Sequence, residues 1–132
     1  MKTTTFLRTL LALTATVSLL TYSSCKKKEG PKPKAVNITY KISSKVTDLK
    51  LSNLSISGTN GQDSAITKDL KFPMEIKVRR AAPAKKSAIK IKAKVDKPAK
   101  IDLEILVDNK SVKKAEVDIK DITKDGVLEH KF

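Results

Sequence analysis

Ile89-Lys90-Ile91-Lys92-Ala93-Lys94-Val95 and, after Lys97-Pro98-Ala99-Lys100, Ile101-Asp102-Leu103-Glu104-Ile105-Leu106-Val107 decide the fold class. Apolar and charged side chains alternate at a period of two. Successive side chains of an extended chain point to opposite faces, so this is the pattern of a half-buried strand. Ile89, Ile91, Ala93 and Val95 form one apolar face, and Ile101, Leu103 and Ile105 form another. Side chains on paired strands must share faces. The turn at Lys97-Pro98-Ala99 is expected to join the two strands as a hairpin, with Lys94 opposite Asp102 and Lys92 opposite Glu104. Such pairs contribute about 0.2–1 kcal/mol each on an exposed face. They specify a register and are not a binding site.

The same period runs outward from this pair. Val36, Ile38, Tyr40 and Ile42 alternate with Asn37, Thr39 and Lys41. Leu49 and Leu51 have one parity and Leu54 and Ile56 the other, which predicts a bulge near Ser52-Asn53. Gly58-Thr59-Asn60-Gly61-Gln62-Asp63 is a turn by composition. Leu70, Phe72, Met74, Ile76 and Val78 share a parity across Pro73. Proline has no N–H, so Pro73 belongs on an edge or at a strand junction. Ala81 to Lys86 forms a loop, and Asp108-Asn109-Lys110 the next turn. Val112 and then Ala115, Val117 and Ile119 follow, with a slip near Lys113-Lys114. Lys124-Asp125-Gly126 reads as a hairpin turn before a last short strand, Val127 to Phe132. Seven to eight short strands with frequent turns, and no 3.6 period, specify an all-β fold, a single Ig-like antiparallel β-sandwich. Tyr40 is expected in its core.

The chain before this domain has a different character. Lys2 and Arg8 precede a short apolar run, Leu10 to Leu20, and small Ser23-Ser24 precede Cys25, the only cysteine. That order is the order of a secretory signal peptide. Tyr22-Ser23-Ser24-Cys25 resembles the lipobox of bacterial lipoproteins, with tyrosine where leucine is usual. Followed by lysines, it is similar to the looser lipoboxes of the Bacteroidota. The resemblance implies cleavage before Cys25 and acyl chains on it, hence lipid attachment at Cys25. The expected organisation is a signal peptide over 1–24, a lipidated basic linker over 25–34 and the sandwich over 35–132. Cleavage near Thr21-Tyr22-Ser23 would instead release a free secreted protein. An uncleaved run would fall short of the roughly 20 apolar residues that a spanning helix needs.

Residues 36–112 also resemble the extracytoplasmic domain of the mycobacterial MmpS family. The likeness rests on Ile38-Thr39-Tyr40-Lys41-Ile42, on Leu70-Lys71-Phe72-Pro73-Met74 without that family's tryptophan, and on Ile105-Leu106-Val107-Asp108-Asn109-Lys110-Ser111-Val112. It implies an Ig-like sandwich. The anchor differs, and the family's role beside exporters does not transfer with the fold.

The formal charge of the 132-residue chain is +14. Residues 67–100 hold twelve basic and three acidic side chains, whereas residues 101–132 hold six and eight. With a signal peptide in front, this basicity does not point to nucleic acid. Beyond residue 24 the aromatics are Tyr40, Phe72 and Phe132, too few for a base-stacking platform. One cysteine makes no intramolecular disulfide or cysteine metal cluster. His130 is the sole histidine and lacks flanking ligands. Asp102 and Glu104 have the spacing of any solvated strand face. Asp121 and Asp125 bracket a turn with too few oxygens for Ca2+, and Gly58 and Gly61 read as turn residues. No catalytic residue, cofactor or metal is expected. The sequence reads as a lipid-anchored cell-envelope lipoprotein acting as a small non-catalytic binding module. Its partner would be another envelope protein or an anionic surface polymer, with a structural or accessory subunit of an envelope assembly or exporter as the alternative. Outer-membrane attachment is expected, on the periplasmic face, because the lysines after Cys25 do not resemble acid-rich surface-export tags.

Overall fold

The computed structural model describes residue 30 and residues 33–132. Cys25, the expected signal peptide and most of the expected linker lie outside the described residues. Pro33–Phe132 is a compact unit. It contains eight strands: β1 (Ala35–Ser43), β2 (Leu51–Ser57), β3 (Asp63–Ile66), β4 (Met74–Ala81), β5 (Ala88–Val95), β6 (Ala99–Val107), β7 (Lys110–Ile119) and β8 (Gly126–Lys131). They form two four-stranded antiparallel sheets, ordered β4-β1-β6-β7 and β3-β2-β5-β8. The described residues contain no helix, and the architecture is the expected β-sandwich.

Alternation puts the core where the two sheets face each other. Val36, Ile38, Tyr40 and Ile42 of β1 and Ile101, Leu103 and Ile105 of β6 point inward from one sheet. Leu51, Leu54 and Ile56 of β2 and Ile89, Ile91, Ala93 and Val95 of β5 meet them from the other. Full burial of an aliphatic side chain of this size stabilises by about 1.5–3 kcal/mol. Tyr40 is fully buried, and its hydroxyl donates to the Ser57 carbonyl at 2.8 Å. That bond joins β1 of one sheet to β2 of the other.

Both expected register slips occur. The β2–β5 ladder shifts between Leu51 and Asn53, so Leu51 and Leu54 both face the core despite opposite parity. In the β6–β7 ladder, Ile105 stands opposite Lys113 and Leu106 opposite Ser111. Val112 is therefore the extra residue, next to the expected position. Asp108 and Asn109 have φ of 48° and 66°, the left-handed pair of a two-residue hairpin loop. The Asp108 carboxylate also accepts the Asn37 N–H at 2.9 Å, which ties the turn to β1.

Two connections differ from the sequence reading. β5 and β6 are not a hairpin: β5 pairs with β2 and β8, and β6 with β1 and β7. Residues 96–98 carry the chain from one sheet to the other. The pairing of Lys92 with Glu104 and Lys94 with Asp102 is therefore incorrect. Alternation reports which side chains face inward, and inward-facing strands can lie side by side or across the core. Here Asp96 settles the choice. Its N–H donates to the Lys50 carbonyl and its carboxylate accepts the Lys50 N–H, both at 3.0 Å, so β2 holds the end of β5. The four peptide units from Val95 to Ala99 then suffice to cross the ~10 Å between sheets. Residues 120–125 likewise cross between sheets instead of closing a hairpin, since β7 pairs with β6 and β8 with β5. Gly126 sits at that crossing because a Cβ there would lie 2.9 Å from Ile119 Cδ1 and 3.2 Å from Val117 Cγ1.

Candidate functional site

Two sheets leave two outer faces and two ends. The outer face of the β3-β2-β5-β8 sheet carries Lys90, Lys92 and Lys94, and each meets a carboxylate from a different segment. Lys90 reaches Glu129 of β8 at 3.3 Å, Lys92 reaches Asp63 of β3, and Lys94 lies 3.9 Å from Asp125 in the β7–β8 connection. The hydrogen bond that the Lys92 ammonium donates to the Asp63 carboxylate raises the Lys92 pKa. These lysines are compensated in place, and the face offers little net charge.

The opposite outer face bears a groove of about 290 Å3, lined in part by Lys41, Glu75, Asp102, Glu104 and Lys114. Register explains its composition. Lys41 stands opposite Glu75 on one side and Glu104 on the other, and Glu104 stands opposite Lys114. The row reads Glu75, Lys41, Glu104, Lys114 across all four strands, with alternating sign. The Lys77 ammonium, 3.1 Å from Glu75 and hydrogen-bonded to it, lowers the Glu75 pKa, with Lys41 adding to the effect. Asp102 stands opposite Glu116, whose carboxylate pairs with Lys100 at 3.1 Å. The row is a self-neutralising cross-strand ladder. Asp102 and Glu104 are thus solvent-side strand residues, and Ser43 lines the groove with no histidine beside it.

The other residues weighed from the sequence have local partners. Asp121 accepts the Thr123 hydroxyl at 2.6 Å and the Thr123 N–H at 2.9 Å, and these two bonds lower its pKa. His130 packs edge-on against Phe132 at 4.8 Å between ring centroids. Gly58 and Gly61 close the β2–β3 turn, where Gly61 has φ of +81°. No group of three or more His, Cys, Asp or Glu could hold a metal among the described residues.

Arg80 is a residue whose signal was present but unread. It continues the inward parity of Met74, Ile76 and Val78 on edge strand β4 and is half-buried. Its Nη1 donates to the Gly58 carbonyl at 3.3 Å, while its Nε has no partner. An inward charge on an edge strand discourages pairing with another chain.

The two ends of the sandwich differ in how charge is arranged. At the end farther from Lys34, every connection that holds lysine also holds aspartate. Lys45 and Lys50 share theirs with Asp48, Lys68 and Lys71 with Asp69, Lys97 with Asp96, and Lys120 and Lys124 with Asp121 and Asp125. At the end where the chain enters, Lys34, Arg80, Lys85, Lys86, Lys110 and Lys131 have Asp63, Asp108 and Glu129 as counter-charges, and Glu129 pairs with Lys131 at 3.6 Å. Asp63 is engaged by Lys92 and Asp108 by the Asn37 N–H. Lys85, Lys86 and Lys110 are exposed and form no ion pair among the described residues.

The chain matches no known protein family model and no curated protein.

Proposed function

We propose that this protein is a lipid-anchored envelope lipoprotein, acylated at Cys25, whose sandwich works as a small non-catalytic binding module for an anionic envelope component. What supports this reading is the placement of charge. The cations of one outer face are compensated, whereas Lys34, Lys85, Lys86 and Lys110 cluster at the end next to the basic linker, with little acid beside them. Long-range attraction to an anionic partner follows from such an arrangement. Three of the four edge strands, all but β8, favour a binding module over an accessory subunit that adds a strand to a neighbour. β3 has four residues, β4 points Arg80 inward, and β7 is bulged at Val112 with Lys113 opposite the core residue Ile105. Each of these features disfavours edge pairing.

Mass spectrometry of the purified N-terminus tests the anchor. An acylated residue 25 is expected, and Cys25→Ser should release the protein from membranes. A terminus that begins elsewhere and carries no acyl group would refute it.

A further inference from the structure

We propose that the end of the sandwich bearing Lys34, Lys85, Lys86 and Lys110 seats on the acidic phospholipid headgroups of the bilayer that carries the anchor, which rests on the lipid-anchor reading above. Covalent reach comes first. From residue 25 to residue 34 the chain spans at most about 30 Å when fully extended. β1 starts at Ala35 and, at nine residues, runs about 30 Å to the opposite end. The entry end is therefore the part of the domain that a shortened linker brings to the surface, and the far end is the part it holds away.

The cations are also pre-positioned. The Lys34 carbonyl accepts the Ala82 N–H at 2.8 Å, which joins the last linker residue to the loop holding Lys85 and Lys86. That loop is fastened in turn: the Lys86 N–H donates to the Phe132 carbonyl at 2.9 Å, and the Ser87 hydroxyl donates to the Ala84 carbonyl at 2.6 Å. Little ordering remains to be done on contact. In the sequence, Lys26, Lys27, Lys28 and Lys32 against Glu29 precede Lys34. Charge complementarity and the point of chain entry thus single out an anionic bilayer over a partner approaching from the far end.

The test uses the chain from residue 25 with Cys25→Ser, which retains every core residue and carries no acyl group. Sedimentation with phosphatidylcholine vesicles, with and without phosphatidylglycerol, reads binding. Capture only by the anionic vesicles, weakening steeply with salt, is expected. A lysine near such a surface accounts for about a fivefold change in affinity. Lys85→Gln with Lys86→Gln should therefore weaken binding about 25-fold, while Lys68→Gln with Lys71→Gln at the far end should leave it unchanged. Equal losses from the two pairs, or binding indifferent to phosphatidylglycerol, would overturn the proposal. So would a Lys85/Lys86 variant that loses binding to polyphosphate but keeps its vesicle binding, because the cations would then serve a polymer. Since this chain has no acyl group, these results stand apart from the mass-spectrometric test of Cys25. An unmodified Cys25 in the natural protein would remove the orientation argument even where vesicles bind.

Discussion

Replacing Tyr40 tests the sandwich at the residue on which both sheets converge. The side chain is fully buried between β1 and the facing sheet, and its hydroxyl donates to the Ser57 carbonyl across the core. Tyr40→Ala removes the ring and the donor together. Large aromatic-to-alanine changes in cores cost about 3–5 kcal/mol. A domain of this size has roughly 5–15 kcal/mol in all. The midpoint of thermal unfolding should fall by about 15 °C or more, at about 4–8 °C for each kcal/mol. Tyr40→Phe keeps the ring and leaves the Ser57 carbonyl without that donor, so it should cost about 1–3 kcal/mol. Urea denaturation followed by far-ultraviolet circular dichroism separates the two. An alanine variant displaced by less than about 1 kcal/mol would refute the placement of the ring in the core. Alkaline titration supplies an independent reading. Burial pushes the Tyr40 pKa up to about 12 from its usual 10.0, against the opposing pull of Arg80. A raised phenol pKa favours the folded state below pH 10, and that contribution is lost as pH rises through 12. A rise of that size corresponds to about 3 kcal/mol. Absorbance near 295 nm should therefore show Tyr40 ionising late and together with unfolding, and ionisation near pH 10 without loss of structure would contradict it.

Two further substitutions probe the connections that the structure revealed. Gly126→Ala puts a methyl against the Ile119 side chain and should destabilise by about 1 kcal/mol or more. Adding Ile119→Val removes the closest atom and should recover part of the loss in the same denaturation experiment. Asp108→Ala forces a residue without a local hydrogen-bonding side chain into φ of 48° and deletes the acceptor for the Asn37 N–H. A loss of about 1–3 kcal/mol is expected, with faster amide exchange at Asn37, and unchanged exchange there would disprove the tie between turn and β1.

Face assignment was legible residue by residue. Burial of Ile38, Tyr40, Ile91, Leu103 and their alternates follows from a period of two, because a strand has only two faces and charge cannot be left in a core. The slip at Ser52-Asn53 was legible for the same reason, since apolar residues of opposite parity can share a face only across a bulge. Turn chemistry located Asp108-Asn109, whose side chains tolerate left-handed backbone. The candidate site was less accessible. The linker's lysines are visible in the sequence, but nothing local says that Lys85, Lys86 and Lys110 share an end with Lys34.

What the sequence alone determined is the sandwich: inward faces and bulges, set by neighbours within one strand, whereas the short β3 (Asp63–Ile66) was not read from it. What only the tertiary structure decided is which strands pair. β5 and β6 are adjacent in the chain, alternately charged and of complementary sign, yet they lie in different sheets. The hydrogen bonds between Asp96 and Lys50 come from segments 46 residues apart and hold β5 on β2. Alternating patterns are degenerate with respect to partner, so pairing is chosen by such long-range bonds and by how two apolar faces close over each other. That choice sends Lys92 to Asp63 and Glu104 to the row between Lys41 and Lys114. It neutralises both outer faces in place and leaves the sparsely countered cations at the end where the chain enters.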